Sequence, residues 1–111
     1  MAVLLREAGV LRLTPETAVA QGVSGTFLPH GLGHLLGLQV HDVGGLRDKP
    51  GAAPLAALPG HPWLRLRRRL EPGFVVTVEP GLYFIPSLLE KLRAGPFGTH
   101  VDWTLVDALK P

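Results

Sequence analysis

The chain has no cysteine. That excludes disulfides and thiolate metal sites, and it fits a reducing compartment. Nothing in the chain resembles a signal peptide. In the opening "MAVLLREAGV", Arg6 and Glu7 interrupt the place where an apolar core would have to continue. No apolar run approaches the roughly 18 residues a membrane helix needs. Charge of either sign is scarce: charged residues are 18% of the chain, and the net charge is +2. The sequence pI near 9.5 reflects a small excess of eleven basic over nine acidic residues, which does not by itself predict a nucleic-acid partner. Internal repeats and low-complexity tails are absent too. What is present is 46% hydrophobic residues in 111, enough for one modest core, so disorder by composition is excluded. These features predict a soluble, cytoplasmic chain without membrane or nucleic-acid partners.

The element pattern is mixed. "AVLLREAGV" reads as one or two helical turns with Gly9 as the stop, and it begins without a capping residue. "LTPETAVAQG" reads as a helix with Thr14 as N-cap, Pro15 at the first position and Gly22 as its end. "TFLP" is expected to be extended, because Pro29 disfavours helical geometry at Leu28. In "LGLQVHDV", Leu38 and Val40 alternate with Gln39 and His41, a strand-like period of two. "GGLRDKPGAAPLAALPGHP" should be a long surface loop. "WLRLRRRL" and the turn "EPG" lead into "FVVTVEPGLYF", the best strand of the chain. "PSLLEKLRAG" predicts a helix from Ser87 to a Gly95 stop, and "VDWTLVDALKP" a second one capped by Asp102.

Three of the five histidines, His30, His34 and His41, crowd into "PHGLGHLLGLQVHD". His30 and His34 have the spacing of the H-E-x-x-H zinc helix, but Gly31 stands where the glutamate belongs. A helix here would also carry Gly31, Gly33 and Gly37, each costing about 1 kcal/mol relative to alanine. The zinc helix therefore fails. Extended or turning backbone remains, from which neutral imidazoles could serve zinc, manganese or cobalt. Ordinary loop histidines remain an equal alternative at this point, and His61 and His100 are read as structural. Glu79 tips the balance. A carboxylate at the end of so apolar a strand is costly unless it is paired, metal-bound or at the surface.

"FLPHGLGHLLGLQVHDVGG" followed by "EPGFVVTVEPGLYF" resembles the prolidases, the Xaa-Pro dipeptidases of the pita-bread metallopeptidases. "HPWLR", "FIPSLLEKLRAG" and "ALKP" point to the bacterial branch that also includes organophosphorus-acid anhydrolases. The resemblance implies an α+β, partial pita-bread fold and a binuclear centre built from two Asp, one His and two Glu. His34 matches the histidine ligand and Glu79 the first glutamate, which can also handle the proton of the bridging water. His41 matches a histidine that steadies the tetrahedral intermediate, and His30 one that lines the substrate pocket. Arg65 matches an arginine holding the carboxylate of the proline end, although Arg67, Arg68 and Arg69 crowd around it. The implied cofactor is two divalent ions, manganese first, with cobalt or zinc as alternatives. The implied substrate is an Xaa-Pro dipeptide.

The other two Asp and the second Glu of that pattern have no counterpart in residues 1–111; Asp42, Asp48, Asp102 and Asp107 fall in loops or caps. The expectation is a central fragment of a catalytic domain, inactive alone and holding one weakly bound ion or none. Exposed strand edges predict a homo-oligomer. One rival is a non-catalytic binding or self-assembling module that keeps the histidine-lined pocket. Another is nucleic-acid binding through "RLRRRL". No aromatic ladder or helix-turn-helix pattern accompanies those arginines, so a solvated basic face is the better reading.

Overall fold

A computed structural model describes residues 1–110; Pro111, the end of the expected last segment, lies outside the described residues. The chain divides into two compact units. One is formed by Met1–Leu28 with the segment from Leu82 onward, the other by Pro29–Gly81.

The first unit is helical: α1 (Ala2–Glu7), α2 (Pro15–Ala20), α3 (Pro86–Ala94) and α4 (Trp103–Leu109), with short 3-10 turns at Val23–Thr26 and Gly98–His100. The starts of α2 and α4 obey local chemistry. Thr14 Oγ1 accepts the Thr17 N–H at 3.2 Å, and Pro15 contributes no N–H that would need a partner. Asp102 Oδ1 accepts the Leu105 N–H at 3.0 Å. α3 starts at Pro86, one residue earlier than expected, and Gly95 caps it. After α1, Gly9 takes φ 78°, a left-handed turn that glycine adopts without strain. The turn sends the chain past Val101 in an antiparallel bridge from Leu11, flanked by Arg12 N–H to His100 O (2.8 Å) and Asp102 N–H to Val10 O (3.0 Å).

Burial follows helical spacing. Leu5, Leu89, Leu92 and Val106 turn inward onto Val10, Leu11, Val23, Phe27 and Val101. Phe27 and Val106 are fully buried, and Phe27 meets Phe84 edge-to-face at 6.2 Å. Arg93 lies over the Trp103 ring at 4.3 Å and pairs with Asp107 at 3.0 Å, tying α3 to α4. "TFLP" is not extended. Thr26 ends a 3-10 turn, Phe27 has φ −97° and ψ −16°, and the Ser24 carbonyl accepts both the Phe27 and Leu28 N–H groups. Pro29 restrains Leu28 only, whereas burial of Phe27 decides the turn.

The second unit is organised by antiparallel pairing of residues 32–36 with 75–79. Leu35 bridges Val76, and the backbone bonds are Leu36 N–H to Val75 O (3.0 Å), Thr77 N–H to His34 O (2.9 Å) and Glu79 N–H to Leu32 O (2.7 Å). Each of these pairs makes one bond where a regular antiparallel ladder makes two. At the central pair, His34 N–H goes to the Thr77 hydroxyl at 3.0 Å and not to a carbonyl. "FVVTVEPG" is therefore paired as expected but does not form a regular strand. Among the described residues the β half of the expected α+β class consists of isolated bridges.

"LGLQVHDV" is likewise not a strand. Residues 36–41 form no bridge, Leu38 and Val40 are exposed, and Asp42 N–H returns to Leu35 O at 3.1 Å. The alternation has no partner segment to bury it. The expected surface loop contains a 3-10 turn at Val43–Leu46 and is otherwise irregular and mostly exposed. The solvated basic face holds for Arg65 and Arg69 only. Arg67 donates to the Leu55 and Ala56 carbonyls, while Arg68 lies over Phe74 at 4.7 Å and pairs with Glu71 at 3.1 Å.

Candidate metal centre

The pairing of 32–36 with 75–79 creates the site. His34 stands opposite Thr77, and side chains two residues apart on a strand share a face, so Glu79 is His34's diagonal neighbour. His34 is only 2% exposed. Its Nδ1 lies 2.8 Å from the Leu35 carbonyl oxygen and its Nε2 2.9 Å from Glu79 Oε1. A carbonyl only accepts, so Nδ1 carries a proton. In neutral imidazole this leaves the Nε2 lone pair directed at the carboxylate. Two electron-rich atoms in that arrangement need a proton or a cation between them.

Close backbone approach makes this possible. A Cβ on Gly33 would run into the Thr77 carbonyl, so only glycine lets the two segments meet here. Thr77 then links both partners: its hydroxyl accepts the His34 N–H and hydrogen-bonds the Glu79 side chain. That bond is the main reason the Glu79 carboxyl is held below its ordinary value of 4.5. Partial burial opposes the shift, and the charge and hydrogen bond of His34, with the charge of His30, reinforce it.

His41 completes the group. Its ring meets that of His34 edge-on, with centroids 4.6 Å apart and planes at 73°. It is exposed, whereas His30 is half-buried. The structure thus brings His34 against both Glu79 and His41, and of His30 it shows an electrostatic effect on Glu79. Arg65 is exposed, has its carbonyl against Gly45, and is not among the charges acting on Glu79. His61 closes a local turn with its N–H on Leu58 O, and His100 ends a 3-10 turn in the helical unit. Sequence reasoning missed Thr77 and the Leu35 carbonyl. Thr77 left a readable signal: it is the one hydroxyl in "FVVTVEPG", on the same face as Glu79.

The donors fit a divalent ion. Ligating histidines usually donate their second ring N–H to a carbonyl or carboxylate, as His34 does to Leu35. A separation of 2.9 Å between Nε2 and Oε1 suits neighbouring ligands whose bonds to a metal are about 2.0–2.2 Å. Among the described residues, no group of three or more His, Cys, Asp or Glu is gathered to hold an ion. His34 and Glu79 are two donors, fewer than the three or four protein ligands a bound zinc takes. Among the described residues no helix is long and apolar enough to cross a membrane.

Comparison with known proteins agrees with this chemistry. Residues 4–106 match the pattern of metallopeptidase family M24. The chain is 53% identical to an Xaa-Pro dipeptidase of Xanthomonas axonopodis pv. citri over 108 residues, which are 97% of this chain and 24% of that protein. Over the same shares it is 52% identical to an Xaa-Pro dipeptidase of Xanthomonas euvesicatoria pv. vesicatoria and 48% identical to one of Stenotrophomonas maltophilia (strain K279a). The chain thus spans about a quarter of the length of these relatives. With nearly its whole length inside the match, the chain belongs to metallopeptidase family M24.

Proposed function

We propose that these residues form part of the catalytic domain of an Xaa-Pro dipeptidase with a pita-bread fold, and that His34 and Glu79 are two ligands of its divalent metal centre. The observation that carries the reading is the buried His34 ring, fixed by Leu35 at Nδ1 and facing Glu79 from Nε2 at 2.9 Å. The identity to proteins named Xaa-Pro dipeptidase supports the substrate class. The chemistry such ions supply when bound is activation of water and polarisation of the scissile carbonyl.

The chain's own residues have distinct parts. Glu79, held ionised by Thr77 and His34, supplies negative charge and can accept a proton. His41, exposed beside His34, can donate to an oxygen that becomes anionic during attack. His30, whose charge favours the ionised Glu79, is the pocket-lining histidine of this reading. Arg65, exposed and planar, suits the carboxylate of the proline end. Manganese is the first choice of metal, with cobalt or zinc as alternatives. Two donors fall short of a full metal centre, so this reading expects no hydrolysis by the 111 residues alone. Exposed Leu36, Leu38, Val40, Val75 and Val78 support self-association, measurable by sedimentation. Absence of cysteine supports a cytoplasmic location.

The test is a chimera in which this chain replaces the matching 108 residues of the Xanthomonas axonopodis pv. citri relative. It should hydrolyse Xaa-Pro dipeptides, and should lose that activity on His34→Ala or Glu79→Ala. A well-folded chimera without activity, or one indifferent to both substitutions, would refute the assignment. Hydrolysis by the 111-residue chain alone would refute its dependence on further ligands.

A further inference from the structure

His41 is exposed, yet its ring is held against that of a buried histidine. Something other than its own burial must keep it there. The next residue, Asp42, is fixed at three points. Its backbone N–H donates to the Leu35 carbonyl at 3.1 Å. That same oxygen lies 2.8 Å from His34 Nδ1. Its Oδ1 accepts the Gly44 N–H at 2.6 Å, capping the turn Val43–Leu46. Its Oδ2 lies in the space a Cβ on Gly37 would occupy, so the carboxylate fills the inside of the loop 35–42.

From this we propose that Asp42 is a positioning residue: it closes the loop that begins at Leu35 and so sets the His41 ring against His34. One carbonyl oxygen serves both histidines. It takes the ring N–H of His34, and it takes the backbone N–H that fixes the residue after His41. The carboxylate adds the second anchor, because with Gly44 capped the chain leaves the loop in one direction. A carboxylate oxygen and an amide oxygen can both accept the Gly44 N–H, whereas alanine cannot. The consequence for catalysis rests on the role proposed above for His41, but the geometry does not.

The experiment reads the ring contact directly in the metal-free 111-residue protein, by NMR cross-peaks between the His34 and His41 ring protons. Asp42→Ala should lose them, and Asp42→Asn should keep them. Asp102→Ala removes a cap of the same kind from α4 and should also keep them, so general destabilisation is separated from positioning. Should Asp42→Ala not fold, Gly37→Ala takes its place, since its new Cβ displaces the carboxylate without altering residue 42. Loss of the cross-peaks then supports the proposal. Retention in the alanine variant read, or loss in Asp42→Asn or Asp102→Ala, overturns it. Because no metal is present, failure here leaves the metal-ligand assignment standing, and failure of metal binding leaves this geometry standing.

Discussion

Gly33→Ala should break the site without touching any residue that bears its chemistry. The Cβ it adds would run into the backbone carbonyl of Thr77, which cannot swing aside as a side-chain tip could. Gly31 adopts φ 80°, but Gly33 is outside that left-handed range, so the effect at 33 comes from crowding and not from backbone strain. The two segments must separate. The contacts at stake are Thr77 N–H to His34 O, Glu79 N–H to Leu32 O and His34 N–H to the Thr77 hydroxyl. Overpacking of this kind costs about 1–3 kcal/mol. At 1.4 kcal/mol per factor of ten, that is about a 5- to 150-fold loss of protection for amides whose exchange depends on this pairing. Hydrogen exchange at the Thr77 and Glu79 amides is the assay, with the Asp102 amide, bonded to Val10 in the helical unit, as control. Unchanged exchange at Thr77 and Glu79 would refute the argument that close approach at Gly33 builds the site.

Phe27→Ala should cost about 3–5 kcal/mol, the usual range for a buried phenylalanine, because Phe27 is fully buried and also loses its edge-to-face partner Phe84. Urea unfolding of the helical unit measures it, and a cost under about 1 kcal/mol would contradict the core assignment. Asp107 is held below its ordinary carboxyl value of 3.8 by hydrogen bonds from Lys110 and Arg93. Its contribution to stability is thus present above that value and is lost as the pH falls through the lower folded-state pKa. Asp107→Asn should lower the thermal midpoint slightly at pH 7 and leave it unchanged in strong acid; the reverse order would be inconsistent with the pairing.

The α-helices of the first unit were legible because their signals are local. Thr14, Pro15 and Asp102 act within one helical turn, and Gly9 terminates α1 by its own backbone freedom. The strand expectations fared differently because a strand needs a distant partner. Leu38 and Val40 alternate as a strand should, yet no β-bridge forms at residues 36–41. "FVVTVEPG" does find a partner, but the Thr77 hydroxyl takes the His34 N–H that a regular ladder would use. No pattern of apolar residues encodes that exchange. The residue types were legible, and the structure sets His34 against both Glu79 and His41. The part of Thr77 was not legible, because a lone hydroxyl in a strand gains its role only once residues 43 apart in sequence are adjacent, and the contact of the Leu35 carbonyl with the neighbouring His34 ring depends on local backbone and ring conformation. Arg68 shows the same limit: in sequence it belongs to a basic run, but in the fold its side chain is 8% exposed and packed on Phe74.

The most direct test of the account is titration of the 111-residue chain with Mn²⁺, followed by paramagnetic broadening of its NMR signals. Broadening should centre on the His34 ring and the Glu79 carboxylate, reach His41 next, and disappear in His34→Ala. Broadening that centres on His61 or His100, or that survives in His34→Ala, would contradict the claim that His34 and Glu79 are neighbouring metal ligands.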